Sequence, residues 1–186
     1  MTKIGVTGHR FLAKLDKLVH SVDQALALIE AHCDPPYICL SALAEGADRL
    51  IPYRAFARWE EARLIVPLPM DVDEYMQDFK TLTSKADFIN LMELAEEILP
   101  PTDVSNREDA YQAAGYYVVQ NCDVLIALWD GAEAQAKGGT AEIVNKARQM
   151  KLPLIWIHAG NRIPGTETPI SLGEKQGKIT LENLKI

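Results

Sequence analysis

The sequence predicts an α/β fold: a doubly wound, mostly parallel sheet of five or more strands with helices on both faces. Three observations predict it. Short apolar runs bounded by turn residues recur along the chain, as expected of buried parallel strands. Between them lie stretches with apolar residues three or four positions apart, which is the spacing of amphipathic helices. The alternation of the two patterns is typical of strands joined by helical crossovers. The predicted strands are residues 3–7, 37–40, 63–68, 123–129 and 152–158.

The first half of the chain is predicted to contain two strand–helix units and a third strand. An apolar stripe predicts the first helix from residue 12 to about residue 33, where an aspartate and two prolines end it. The second helix is predicted over residues 47–61, with Pro52 in its first turns, where proline is tolerated. Pro67 indicates that pairing of the third strand stops there or that this strand lies at the sheet edge.

In the second half, helices are predicted at residues 72–80, 87–99, 106–120 and 140–150. Asn106 is the expected N-cap of the third of these, because its side chain can accept a hydrogen bond from the first turn. A last strand is predicted at residues 178–181. We expect one domain over residues 1–186, with a core at 3–158 and a loop-rich tail at 159–186.

Composition limits the partners that the sequence predicts. The 186 residues are 48% hydrophobic, and 26 acidic residues against 19 basic ones give a net charge of -7. An acidic chain without a block of cations is not expected to bind duplex nucleic acid, so a small nucleotide-type molecule is the predicted partner. Three cysteines without metal-ligand spacing predict neither a disulfide framework nor a metal site, and no cofactor is expected.

The expected location is the cytoplasm. No apolar run approaches the roughly 20 residues that a membrane helix needs, and the amino terminus lacks the apolar segment of a signal peptide. The apolar segment at residues 87–99 is a candidate surface for a homo-oligomer.

The ligand site is predicted where strand order reverses, beyond the carboxyl ends of the strands. The reversal is expected between the strands at residues 3–7 and 123–129. The loops that follow these strands then face each other across a crevice, with the loop after the second strand beside it. The predicted ligand-binding residues are Gly8, His9, Arg10, Ser41, Ala44, Glu45, Gly46, Asp48, Arg107, Asp130, Gly131, Gly138, Gly139 and Thr140.

Gly138, Gly139 and Thr140 lie directly before an apolar helical pattern, after a buried strand. They could form a flexible loop that ends in a threonine cap. They could also form an anion site, because the free N–H groups of a first helical turn and the helix dipole both favour negative charge. The segment matches neither the Walker A loop nor the GxGxxG fingerprint.

The charged residues near these loops could have a structural role or a ligand-binding role. Arg10 belongs to a strand-to-helix turn, but it could also contact a phosphate through two hydrogen bonds. Arg107 begins a helix, where a positive charge opposes the dipole, which favours a functional role. Asp130 could cap its loop or contact a ligand. Glu45 and Asp48 could be first-turn acids or partners of a ribose or base.

Three segments resemble the SLOG superfamily: IGVTGHR at residues 4–10, SALAEGAD at 41–48, and CDVLIALWDG at 122–131 with GGTAE at 138–142. This superfamily has a Rossmann-like fold that the DNA-processing protein of natural transformation shares with the LONELY GUY phosphoribohydrolases. The resemblance covers about residues 3–158. It implies binding of nucleotides or nucleotide-derived ligands at these loops, with the glycine loop on phosphate.

The catalytic pattern of the LONELY GUY enzymes, PGGxGTxxE, is altered in this chain. Lys137 stands in place of the proline, and Ile143 stands where the glutamate is expected, with Glu142 one residue earlier. The segment is also similar to nucleoside 2-deoxyribosyltransferases, in which a glutamate after the threonine is the nucleophile. Two hypotheses follow: binding or sensing of a nucleotide, or cleavage of an N-glycosidic bond with Glu142 as the catalytic carboxylate. A scaffold without a nucleotide site is the third.

Overall fold

The computed structural model describes residues 1–133, 137–173 and 175–184. The predicted loop at 130–140 and the predicted tail at 159–186 therefore fall partly outside the described residues. In chain order, the elements are β1 (Thr2–Gly8), α1 (Leu15–His32), β2 (Tyr37–Leu40), α2 (Ala47–Arg58), β3 (Arg63–Pro67), α3 (Val72–Tyr75) with a 3₁₀ turn (Met76–Asp78), α4 (Leu82–Leu94), β4 (Glu97–Leu99), α5 (Arg107–Asn121), β5 (Val124–Trp129), α6 (Thr140–Gln149), β6 (Leu154–His158) and β7 (Ile179–Glu182).

The strands form one seven-stranded sheet in the order β4-β3-β2-β1-β5-β6-β7. All neighbours are parallel except β6 and β7. The strand order reverses between β1 and β5, which pair from Ile4 with Val124 to Gly8 with Leu128. The predicted α/β class and the predicted place of the reversal are confirmed.

The sheet is buried on both faces, and β5 shows why its sequence is a continuous apolar run. Val124, Ile126 and Leu128 join one hydrophobic cluster, which includes residues of α1 and α2. Leu125, Ala127 and Trp129 join a second cluster, which includes residues of α5 and α6. Successive side chains of a strand point to opposite faces, so a strand covered by helices on both sides needs apolar residues at every position.

The predicted helix at residues 87–99 is wrong at both ends. The helix here, α4, begins at Leu82 and ends at Leu94, and the next apolar residues form the edge strand β4. Ile98 and Leu99 continue the helical spacing of the sequence, but they pair with Val66 and Pro67 of β3. Pairing with the sheet thus overrides the local pattern.

Two smaller expectations concern α5 and the membrane. Asn106 is the N-cap of α5, as predicted, and its Oδ1 accepts a hydrogen bond of 2.9 Å from the backbone N–H of Asp109. Within the described ranges, none of the helices combines the length and the apolarity that a bilayer crossing requires.

Candidate functional site

A cavity of about 330 Å³ lies at the carboxyl ends of β1 and β5, where the strand order reverses. Its walls come from five places: the end of β1, the connection from β2 into α2, Tyr75 of α3, the inner side of α5, and the segment that leads into α6. Predicted site residues that line it are Gly8, Arg10, Ala44, Asp48, Gly138, Gly139 and Thr140. The structure thus brings residues of all three predicted loops to one cavity beyond the strand ends, where doubly wound sheets bind ligands.

The loops after β1 and β2 pack against each other without space for side chains between them. Gly46 has a φ of +77°, and a Cβ at this position would overlap the carbonyl oxygens of His9 and Arg10. The same His9 carbonyl accepts a hydrogen bond of 3.2 Å from the N–H of Ala47, the first residue of α2. A Cβ on Gly8 would lie 2.5 Å from Cβ of Ala47. These two glycines allow β1 to lead directly past the amino end of α2.

The third loop is fixed against α5. Gly138 has a φ of +71°, and a Cβ there would lie 2.6 Å from the backbone nitrogen of Gln112. Gly139 is the N-cap of α6, and its carbonyl accepts hydrogen bonds from Glu142 and Ile143. The first N–H groups of a helix have no partner within it. The amino end of α6 therefore offers N–H donors and a positive dipole end to the cavity.

Three polar side chains meet in a buried part of the cavity: Arg10, Asp48 and Tyr75. The Tyr75 ring is fully buried, and within the described residues its hydroxyl has no hydrogen-bond partner. The same holds for Nε of Arg10, whose Nη2 lies 3.5 Å from Oε2 of Glu45. Asp48 is only 8% exposed and accepts a hydrogen bond from the backbone of Ala44.

Burial shifts the pKa values of Asp48 and Tyr75. It raises the pKa of Asp48 to about 7, although the Ala44 hydrogen bond, Arg10 and Arg49 all act in the opposite direction. Burial also raises the pKa of Tyr75, so this hydroxyl keeps its proton. The cavity thus contains one carboxyl group that changes charge near neutral pH, beside an arginine and a tyrosine hydroxyl.

Several predicted site residues instead hold the loops together from behind the cavity. Ser41 is fully buried; its hydroxyl donates to the carbonyl of Asp48 at 2.6 Å and accepts from the N–H of Leu43. Glu45 accepts a hydrogen bond from Ser84 at 2.5 Å. Gly46 makes the close approach described above.

His9, Asp130 and Gly131 also lie outside the cavity lining. Asp130 accepts hydrogen bonds from the N–H of Ala132 at 3.0 Å and from the Ser171 hydroxyl at 2.9 Å, and its Oδ1 lies 3.2 Å from Nε2 of His9. Burial lowers the pKa of His9, which favours the neutral ring. These residues join the ends of β1 and β5 to the segment after β6.

Arg107 is not brought to this cavity. It forms ion pairs with Glu74 at 2.6 Å and with Asp78 at 2.7 Å, and it lines a separate, more open depression near residues 69–74 and 101–106. The positive charge that the helix dipole disfavours is thus compensated by two carboxylates.

Glu142 points towards α5. Its carboxylate accepts hydrogen bonds from the N–H of Gly138 at 2.7 Å, from the Tyr116 hydroxyl at 2.7 Å, and from the Gln112 amide. Burial acts to raise the pKa of Glu142, but these hydrogen bonds together hold it below its usual value. All three donors belong to the protein itself, so the contacts favour a structural role; the catalytic role stays a prediction.

Ten of the seventeen lining residues were not predicted from the sequence, among them Tyr75, Tyr111 and Lys137. Tyr75 comes from α3, in a region where the pattern was weak, and Tyr111 comes from the first half of α5. Lys137 directly precedes the predicted glycines, and its ammonium lies 3.0 Å from Oδ1 of Asp109. Its position beside a candidate anion site was the one available signal.

The described ranges contain no group of three or more histidine, cysteine, aspartate or glutamate side chains placed to hold a metal ion.

The chain is similar in fold to a solved structure of DNA processing protein A from Helicobacter pylori. That structure concerns the single-stranded DNA binding mode of the Helicobacter protein. The TM-score is 0.54 at 19% sequence identity, and the match covers 95% of this chain and 69% of the other. No family model matches the sequence. No curated protein matches it either. At 19% identity this likeness concerns the fold alone, and it agrees with the predicted doubly wound α/β class.

The predicted partner has to be corrected. The sequence predicted a small nucleotide-type molecule and no duplex nucleic acid, whereas a protein of similar fold binds single-stranded DNA. The physical reason is that net charge limits contacts along a duplex backbone. A single strand can be held at few phosphates, with its exposed bases supplying the remaining contacts.

Proposed function

We propose that this chain binds single-stranded nucleic acid and accommodates one nucleotide of the strand in the cavity at the carboxyl end of β1. The phosphate of that nucleotide would lie at the amino end of α6, and its base would enter the buried part of the cavity. One observation carries the proposal: a single cavity contains both the amino end of a helix and two buried polar groups, Nε of Arg10 and the Tyr75 hydroxyl, that have no hydrogen-bond partner among the described residues.

The size and the charges of the cavity support this assignment. A volume of about 330 Å³ is at the lower end of the range for small-molecule sites, so it suits one nucleotide and not a longer segment. Arg10 and Lys137 supply two cations to an otherwise acidic protein. The similarity in fold to a protein that binds single-stranded DNA supports nucleic acid over a free nucleotide.

Fluorescence anisotropy with a labelled 12-nucleotide thymidine strand, compared with a 12-base-pair duplex, tests the proposal. The single strand should bind, and the Arg10→Gln variant should weaken binding about tenfold or more, as expected for a charge-assisted hydrogen bond. Arg58→Gln is the matched control, because Arg58 pairs with Glu30 on the outer surface. Equal affinity for the single strand and the duplex, or no effect of Arg10→Gln, would contradict the proposal.

The alternative enzyme, which would cleave an N-glycosidic bond with Glu142, receives no support from the cavity. Glu142 is absent from its lining, and its carboxylate already accepts three hydrogen bonds.

A further inference from the structure

The polar groups of the cavity belong to two separate electrostatic environments. Lys137 is influenced by Asp109, Glu108 and Glu142. Asp48 acts on Tyr75, and Arg10 and Arg49 act on both of these side chains. One end of the cavity therefore combines a lysine with the amino end of α6, and the other combines a carboxyl group, a hydroxyl and a guanidinium.

A phosphate fits only the first of these ends. At the second end an ionised Asp48 would repel it, because two like charges in a site of low polarity destabilise each other. An uncharged group with several hydrogen-bonding atoms fits the second end better. In a nucleotide, that group is the base.

The unpartnered atoms at the second end define what such a base must offer. Among the described residues Nε of Arg10 has no acceptor, and the Tyr75 hydroxyl can also donate. Asp48 accepts from Ala44, and an ionised carboxylate has about four lone-pair positions, so it can accept further hydrogen bonds. Buried polar atoms without partners are costly, and a ligand that satisfies them recovers that free energy.

We propose that the end of the cavity formed by Asp48, Tyr75 and Arg10 is a base-recognition subsite that prefers guanine. This inference rests on the proposed binding of a single strand. The Watson–Crick edge of guanine has two adjacent donors, N1–H and the 2-amino group, next to the O6 acceptor. The two donors match the Asp48 carboxylate, and O6 matches the donors from Tyr75 and Arg10.

The other bases match this set less well. Adenine gives a carboxylate one donor, and its N1 lone pair opposes the second oxygen. Cytosine also has one donor on this edge, beside two acceptors. Thymine has one donor between two acceptors. The cavity lining combines small residues, Ala42, Ala44 and Gly115, with the rings of Tyr75 and Tyr111.

The test uses 5′-labelled thymidine hexamers with a single guanine, adenine or hypoxanthine, measured by anisotropy at pH 8. We expect the guanine hexamer to bind roughly tenfold more tightly than the adenine hexamer, which is the discrimination typical of a bidentate base contact. Hypoxanthine lacks the 2-amino group and should fall between the two.

Asp48→Asn makes the test specific. An amide has one acceptor and one donor, and this pair matches N6 and N1 of adenine. The variant should lose the guanine preference and favour adenine. Asp123→Asn is the matched control. Asp123 lies at the amino ends of the strands, far from the cavity at their carboxyl ends, and its carboxylate accepts a hydrogen bond from the N–H of Lys3.

A second pair of variants guards against a folding defect in Asp48→Asn. Tyr75→Phe should reduce guanine affinity several-fold while thymidine hexamers bind as before. Tyr53→Phe, which changes a tyrosine on the outer side of α2, should alter neither. Equal affinity for all hexamers, or a guanine preference that survives Asp48→Asn, would overturn the subsite and leave single-strand binding intact. If no hexamer binds, both proposals fail.

Discussion

The carboxylate of Glu142 accepts a hydrogen bond of 2.7 Å from the backbone N–H of Gly138, four residues earlier. Glu142 thus binds the segment that leads into its own helix, α6. The same carboxylate also accepts hydrogen bonds from Tyr116 and Gln112 of α5. This contact fixes the loop on the cavity while leaving the first N–H groups of α6 available.

Replacement of Glu142 should therefore change stability before it changes chemistry. Glu142→Ala leaves three donors without their partner and should lower the free energy of unfolding by about 1–3 kcal/mol. Glu142→Gln keeps an acceptor oxygen and should cost less. Urea unfolding measures both effects. Release of base from a nucleotide, detected by chromatography in the wild type and absent in Glu142→Gln, would instead restore the catalytic interpretation.

Gly46 should not tolerate a side chain. Gly46→Ala adds a Cβ that overlaps two carbonyl oxygens and also strains a positive φ, so we expect a loss of about 2 kcal/mol or more in the free energy of unfolding. Gly165→Ala is the matched control, because Gly165 has the same φ of +77° and no atom within 4 Å of the added Cβ.

The difference between these two variants isolates the contact with the β1 loop from backbone strain. If both lose the same stability in urea unfolding, the packing of the two loops does not limit side chains at position 46.

The stability of the protein should depend on pH through Asp48. In the unfolded chain an aspartate titrates at about 3.9, whereas burial raises the folded pKa to about 7. The folded state therefore binds the proton more tightly, and its contribution to stability is complete below about pH 4 and is lost as the pH rises towards 7.

Asp48→Asn should flatten this decline, which urea unfolding at pH 5, 6, 7 and 8 measures. Arg10, Arg49 and Tyr75 also face the carboxyl group, but burial raises the pKa of Tyr75, and arginines keep their charge over this range. An unchanged pH dependence in the variant would show that other groups cause it.

Binding of a single strand should depend only weakly on salt. Of the two cations that line the cavity, Arg10 belongs to the base end and Lys137 to the phosphate end, and each phosphate contact to a single strand contributes a slope of about −0.7 to the logarithmic dependence on salt. The predicted slope is therefore about −0.7, and Lys137→Gln should bring it close to zero.

Lys151→Gln, at the opposite end of α6, is the control for Lys137 and should leave the slope unchanged. Anisotropy titrations at salt concentrations from about 50 to about 300 mM give the dissociation constants from which the slope is obtained. A slope near −4 would indicate a second basic surface, outside the cavity.

The parts of the fold that could be predicted are those in which local pattern and burial agree. Strands such as β2 and β5 are continuous apolar runs because helices cover both faces of the sheet. The three residues of β4 could not be predicted, because Ile98 continues the apolar spacing of α4 and only pairing with β3 decides its conformation.

The site divides in the same way. Its loops follow strand ends, so the topology rule brings them together. Tyr75 and Tyr111 belong to α3 and α5, which are far from β1 in the sequence. No local sequence pattern relates these two residues to β1. The direction of Glu142 depends on its partners in α5, Gln112 and Tyr116, which lie about 30 residues away.

A carboxyl group whose pKa burial raises to about 7 also makes ligand binding exchange protons with the solvent near neutral pH. If a base donates two hydrogen bonds to Asp48, the ionised form is favoured, and the carboxyl group releases its proton to the buffer. The heat of binding should then differ between phosphate and Tris in proportion to their ionisation enthalpies. Calorimetry in the two buffers would count the released protons directly, and Asp48→Asn should remove the difference.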